Sequence, residues 1–138
     1  MHVCIVGAGK VGYYLAKTLL EHGHDPVVIE QDPQACRRIA NGLDIHVISG
    51  DGTSVNILKT AGCDQCHSLI AVTGQDEDNL IACQLAKRVF HCKRTVARVN
   101  NPRNAHVLKK LGVDIAVSST DNIVRILERE VGTTAIRH

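Results

Sequence analysis

Short, almost wholly apolar runs alternate with stretches of helical periodicity along this chain, and they cover residues 3–6, 26–30, 44–49, 68–73, 94–99 and 113–117. Strands apolar at every position, rather than at every second one, must be buried on both faces. Parallel strands covered by crossover helices are in that situation. The intervening stretches supply the helices. Residues 11–22 place Val11, Leu15, Leu19 and Leu20 at helical spacing and stop at Gly23, which tolerates the left-handed backbone of a helix end. Asp32-Pro33 reads as an N-cap with proline in the first turn, and Cys36, Ile39 and Ala40 as that helix's buried side. Thr53 or Ser54 can cap a short helix through Ala61. Residues 76–89 carry acids in the first turn and Lys87-Arg88 in the last, which suits the helix dipole. Residues 102–111 form a helix stopped by Gly112, and residues 121–131 a last one with Ile123, Ile126, Leu127 and Val131 on one stripe. Right-handed crossovers then make a Rossmann-like, doubly wound α/β sheet the simplest topology: six parallel strands in the order 3-2-1-4-5-6.

Composition narrows the function. The 138 residues fit one domain, 1–138, and 44% are apolar, enough to bury a core. Aromatics are only 2%, with no Trp, so the rings on which single-stranded nucleic acid stacks are missing. A net charge of +2, with the basic residues dispersed, demands no polyanionic partner. No apolar run approaches the roughly 20 residues of a bilayer span. The start, Met1 to Gly7, lacks the charged region and cleavage site of a signal peptide and enters a strand at once. The expectation is a cytosolic chain whose six cysteines are reduced.

Gly7-Ala8-Gly9-Lys10-Val11-Gly12 lies between the first strand and the first helix. In such a loop Gly7 permits the tight turn, Gly9 lets a pyrophosphate approach the backbone, and Gly12 lets the helix pack closely. The phosphates would meet free N–H groups at the helix N-terminus. The alternative is a turn that only packs a helix on a strand. Glu30 follows Gly12 by 18 residues and ends the second strand, where a carboxylate accepts from ribose hydroxyls and repels a 2′-phosphate. That favours NAD or NADH over the phosphorylated dinucleotide and leaves ATP and ADP as alternatives. Asp51-Gly52 and Thr73 end the third and fourth strands; each acid or hydroxyl can face ligand or merely cap a helix. Arg98 interrupts an apolar strand and needs an anion, either a phosphate or Asp76, Glu77 or Asp78.

Taken together, Gly7–Gly12, Glu30, Gly50-Asp51, Ala71-Val72-Thr73 before an acidic helix start, and Ala97-Arg98-Val99-Asn100-Asn101-Pro102 resemble the Trk/Ktr potassium-uptake regulatory family and its KTN, or RCK N-lobe, domains. The resemblance covers essentially the whole chain. It implies a non-enzymatic, cytoplasmic regulator that binds NAD(H) or ATP/ADP. Such a regulator forms homodimers or rings and sits on the inner face of the membrane through a potassium-translocating subunit. By position, the loop would hold phosphates, Glu30 the ribose and Asp51 the adenine side, with Thr73 and Arg98 completing the site. The helix at 121–131 resembles the segment through which these domains dimerise. Family members usually add a smaller C-terminal lobe, which this sequence does not contain.

Other motifs point elsewhere. Cys63-Asp64-Gln65-Cys66-His67 matches a haem-attachment pattern, and with His91-Cys92 it offers ligands for zinc or a redox pair. Its place inside a βα pattern favours a surface-proximal loop with incidental thiols. A competing function is the cofactor half of an NAD-dependent dehydrogenase lacking its substrate domain; a redox-sensing DNA regulator would need a basic recognition helix, which is not seen.

Overall fold

Neighbouring residues of a strand point to opposite faces, and here both faces are apolar. The computed structural model describes residues 1–118. β1 (His2–Val6) puts Val3 and Ile5 into one hydrophobic cluster and Cys4 and Val6 into another, all four buried. It is joined by β2 (Asp25–Glu30), β3 (His46–Ser49), β4 (Ser68–Ala71), β5 (Arg94–Arg98) and β6 (Ile115–Val117). The described strands are all parallel and lie in the order β3-β2-β1-β4-β5-β6, as the sequence pattern predicts.

Val3, Ile5, Val28, Ile70 and Val96 form the first face. It is covered by α1 (Lys10–Glu21) through Val11, Leu15, Ala16 and Leu19, and by α2 (Pro33–Gly42) through Ala35 and Ile39. Cys4, Val6, Ile29, Leu69, Ala71 and Ala97 form the second. It is covered by α3 (Val55–Thr60) through Leu58, by α4 (Asp76–Arg88) through Ala82, Cys83 and Ala86, and by α5 (Ala105–Lys110) through Leu108. Leu15, Ile39 and Leu58 are at most 1% exposed, and each such burial stabilises by about 1.5–3 kcal/mol. The winding reverses between β1 and β4, which opens a crevice at the carboxyl ends of the strands.

Several boundaries differ from the sequence expectation. The buried side of α2 is Ala35 and Ile39; Cys36 is half-buried and Ala40 exposed. The phase is set by Asp32, whose carboxylate accepts from the Gln34 N–H and starts the helix at Pro33. The third strand begins at His46 rather than at 44. Residues 102–111 divide into a 3-10 turn, Pro102–Asn104, and α5, because the Asn101 side chain caps the Arg103 N–H and tightens the first turn. Ser54, not Thr53, caps α3. The pair in the Cys-x-x-Cys segment is not surface-proximal: Cys63 is fully buried and Cys66 is 8% exposed. The proposed helix at 121–131 lies outside the described residues.

Candidate functional site

The crevice at the β1/β4 boundary is a cleft of about 350 Å³, within the usual size of small-molecule sites. Its floor is the glycine turn. Gly7 has φ +112, and a side chain there would meet Val72 and the Thr73 N–H at 3.1 Å. Gly12 is tighter still: a Cβ would lie 1.9 Å from the Gly7 carbonyl oxygen, so the first turn of α1 is pressed against the loop's own backbone. Gly9 has no atom within 4 Å of that position, so the loop presents bare backbone there. It is the N-cap of α1 and supplies no side-chain hydrogen bond, which leaves the amides of the first turn available.

Glu30, at the end of β2, accepts from the Ala8 N–H at 2.6 Å through Oε1 and from the Asp32 N–H at 2.9 Å through Oε2. The carboxylate thus ties the glycine turn to β2, and each oxygen keeps a further lone pair. Asp51 follows β3 and is turned by its own loop, with Oδ1 accepting from the Thr53 N–H and hydroxyl at 2.8 and 2.7 Å.

Across the boundary, Thr73 follows β4. Its hydroxyl donates to Asn79 Oδ1 at 2.6 Å and accepts from the Gln75 N–H at 3.2 Å. Asn79, wholly buried, also accepts from the Thr73 N–H and donates to the carbonyls of Thr73 and Arg98 at 3.1 and 2.8 Å. Asp76 clamps the next loop by accepting from the Asn100 and Asn101 N–H groups and from the Asn100 and Asn104 side chains. Burial opposes its ionisation, but those donors outweigh it and hold the carboxyl below its usual range. Asp76 is therefore committed to asparagines rather than to Arg98. Arg98 lines the cleft, and its buried Nε has no hydrogen-bond partner among the described residues.

Of the residues singled out from sequence, Gly7, Ala8, Gly9, Glu30, Asp51, Gly52, Thr73 and Arg98 line one cleft. Lys10 lies on a separate groove with Tyr13, Tyr14, Lys17 and Arg38. Val11 is packed in the core, and Gly12 is buried beneath the loop. Sequence reasoning missed Gln31, Thr53 and Gly74 in the lining and Asn79 behind it, and named Asp76 and Asp78 only as possible partners of Arg98. The acidic start of α4 was visible as a dipole feature; nothing in its spacing marked Asn79 as inward or Asp76 as a clamp on residues 100–104. Among the described residues, no group of three His, Cys, Asp or Glu side chains is arranged to hold a metal ion.

A parallel sheet wound in this order, with a glycine turn and a cleft at its switch point, defines a Rossmann-like domain of the nucleotide-binding class. The chain belongs to the TrkA-N domain family, whose model matches residues 3–119. A Trk system potassium uptake protein TrkA homolog of Methanothermobacter thermautotrophicus is 37% identical over 129 residues, covering 94% of this chain and 59% of that protein. The chain thus spans less than two thirds of that relative. The TrkA-N domain of the inner membrane protein ybaL from Escherichia coli superposes with a TM-score of 0.79 at 19% identity, covering 94% of this chain and 96% of the other. The GsuK channel bound to NAD superposes at 0.75 with 24% identity, over 94% of this chain and 22% of that one. No helix among the described residues is long and apolar enough to cross a membrane.

Proposed function

We propose that this chain is a regulatory nucleotide-binding domain that takes NAD or NADH in the switch-point cleft and governs a membrane potassium-translocating partner. The observation that carries the reading is Arg98: a buried guanidinium nitrogen without a partner, in the same cleft as a glycine turn whose Gly9 backbone has open space beside it at the start of α1. Those groups suit a pyrophosphate. Glu30 would receive the ribose hydroxyls and Asp51 the adenine side. The remaining charges select further. Glu30, Asp51 and Asp78 set three carboxylates against one guanidinium in the lining, so each added phosphate meets more repulsion. A dinucleotide, whose pyrophosphate carries two charges, fits best; ADP and then ATP are weaker ligands of the same pocket.

A regulatory role is supported by the use of the cleft's acids. Glu30 and Asp51 are engaged by backbone amides, and the described lining holds no His, Cys, Lys or Tyr to move a proton. The domain acts in the cytoplasm as a homodimer or ring. The TrkA name of its relative supplies the potassium-uptake context.

Calorimetric titration with NAD, NADH, ADP and ATP tests the reading. Micromolar binding of NAD or NADH, weaker binding of ATP, and loss of affinity in Glu30→Ala are expected. Absence of any adenine-nucleotide binding below millimolar concentration overturns it. In cells, deletion of the full-length gene is expected to slow potassium uptake at low external potassium, and unchanged uptake removes the transport assignment.

A further inference from the structure

The nucleotide reading leaves the cysteines unused, and they are not scattered. Cys4 on β1, Cys63 and Cys66 on the 3-10 turn after α3, and Cys92 between α4 and β5 all belong to the second-face core. Within the Cys-x-x-Cys segment the two thiols diverge. Cys66 Sγ donates to the Gly62 carbonyl at 3.4 Å. Cys63 Sγ instead meets Cys92 Sγ at 3.7 Å, 29 residues on in sequence. Sulfurs in contact at that distance need move by under about 2 Å to reach the length of a disulfide.

Both thiols sit where the backbone can yield. Cys63 follows Gly62, at φ +80, and opens a three-residue turn; Cys92 follows His91, at φ +57, in a short connection. Neither is in a strand or a helix interior. The amino-end edge of the sheet also carries a groove beside this pair. A groove of about 300 Å³ is lined by His2, Asp25, His46, Gly62 and Cys66, the last two flanking the turn that carries the buried Cys63, so a small peroxide in the groove has one layer of atoms left to pass.

We propose that Cys63 and Cys92 are a dithiol oxidation site that a hydroperoxide converts to an intramolecular disulfide. The Cys63 thiolate attacks the distal peroxide oxygen, the O–O bond breaks, and the departing oxygen takes a proton and leaves as the alcohol, or as water from hydrogen peroxide. Cys63 is then a sulfenic acid. The Cys92 sulfur attacks the Cys63 sulfur, the S–O bond breaks, the Cys92 proton passes to the hydroxyl, and water leaves. Two electrons pass from the sulfurs to the peroxide. Cys92 Sγ also lies 3.5 Å from the Cys63 carbonyl oxygen, to which it donates, so it keeps its proton while Cys63 faces it. The Cys4 and Cys92 thiols favour the Cys63 thiolate against burial and the same contact pushes the Cys92 pKa up, which gives Cys63 the attacking and Cys92 the resolving role. Cys83 is buried elsewhere in the core, where its thiol donates to the Val96 carbonyl, and burial pushes it up; it serves as the internal unreactive control.

The test treats the full chain with hydrogen peroxide while circular dichroism verifies that it stays folded. Alkylation in denaturant and non-reducing peptide mapping follow. A Cys63–Cys92 linked peptide, lighter by two hydrogens, is expected as the main oxidised product, with Cys83 alkylated. Cys92→Ala should stop at a Cys63 sulfenic acid that a cyclic 1,3-dione traps, and Cys66→Ala should still form the linkage. A main linkage of Cys63 to Cys66, a linkage that appears only after unfolding, or six alkylated cysteines in peroxide-treated folded protein overturns the proposal. Cys92→Ser is the second resolving-thiol variant should Cys92→Ala fail to fold.

Discussion

On the β1–β2–β3 side of the cleft, backbone amides hold the acids: Glu30 binds Ala8 and Asp32, and Asp51 binds Thr53. On the β4–β5 side, side chains hold the backbone: Asn79 bridges Thr73 and Arg98, and Asp76 gathers Asn100, Asn101 and Asn104. The first arrangement puts two carboxylates in the cleft lining, where the proposed nucleotide would meet them. The second spends its side chains on fixing geometry and leaves Arg98, whose buried Nε has no hydrogen-bond partner among the described residues, in the lining. In the proposed function the first side recognises the ligand and the second positions the lining.

The sharpest way to break this comparison is to attack the point where the two sides meet. Gly12→Ala puts a Cβ 1.9 Å from the Gly7 carbonyl oxygen and beside the Val72 side chain. Backbone cannot yield as a flexible side chain would, so the cost falls at the upper end of overpacking, about 3 kcal/mol. Urea unfolding should show it, together with loss of nucleotide binding. A fully stable Gly12→Ala would mean that α1 does not press on the loop.

Asn79→Ala attacks the positioning side alone. It strands the Thr73 N–H and the carbonyls of Thr73 and Arg98 in a buried site, at about 2 kcal/mol of stability. It should also weaken NAD binding, because Thr73 and Arg98 lose their fixed spacing. If stability falls while affinity holds, Asn79 is structural only and the proposed division fails on that side.

The same contrast explains what could be read in the sequence. The strand order and the residues that line the β1–β3 side of the cleft were legible, because glycine spacing and a strand-end acid are local features whose placement follows from short-range geometry. Arg98 was legible as a charge in an apolar strand. Asn79 was not, and Asp76 only as a possible partner of Arg98: an asparagine inside an amphipathic helix and an acid in its first turn have ordinary solvent-facing uses. Only the proximity of β4, β5 and residues 100–104 turns them inward. Cys63 and Cys66 were misplaced for the same reason, since local spacing set them in a surface-proximal loop while the fold buries both and sets Cys63 against Cys92.

Glu30→Ala tests the recognition side. Losing a charged acceptor to two ribose hydroxyls should cost about 2 kcal/mol, roughly 30-fold in affinity. Stability should fall less than in Asn79→Ala, because only the buried Ala8 N–H loses its acceptor, against three buried groups there, while the Asp32 N–H is exposed. Titration and urea unfolding on the same variant separate the two effects. A larger stability loss than affinity loss would reverse the assignment, making Glu30 a structural tie and leaving recognition to Asp51.

The smallest effect concerns pH and belongs to Asp76. Its donors hold the folded carboxyl below the unfolded value near about 3.9. A depressed acid contributes stability that is fully present above the unfolded pKa and is lost as pH falls through the folded one. The Asp76 contribution is therefore constant through neutral pH and disappears only on the acid side of about pH 4. Asp76→Asn removes this titration, although it also gives up some of the four donors. The stability gap between wild type and variant should accordingly stay flat from pH 7 to 5 and narrow below pH 4 in urea unfolding. A gap that ignores acid would show that the clamp depends on shape rather than on charge, and the positioning side would then rest on Asn79 alone.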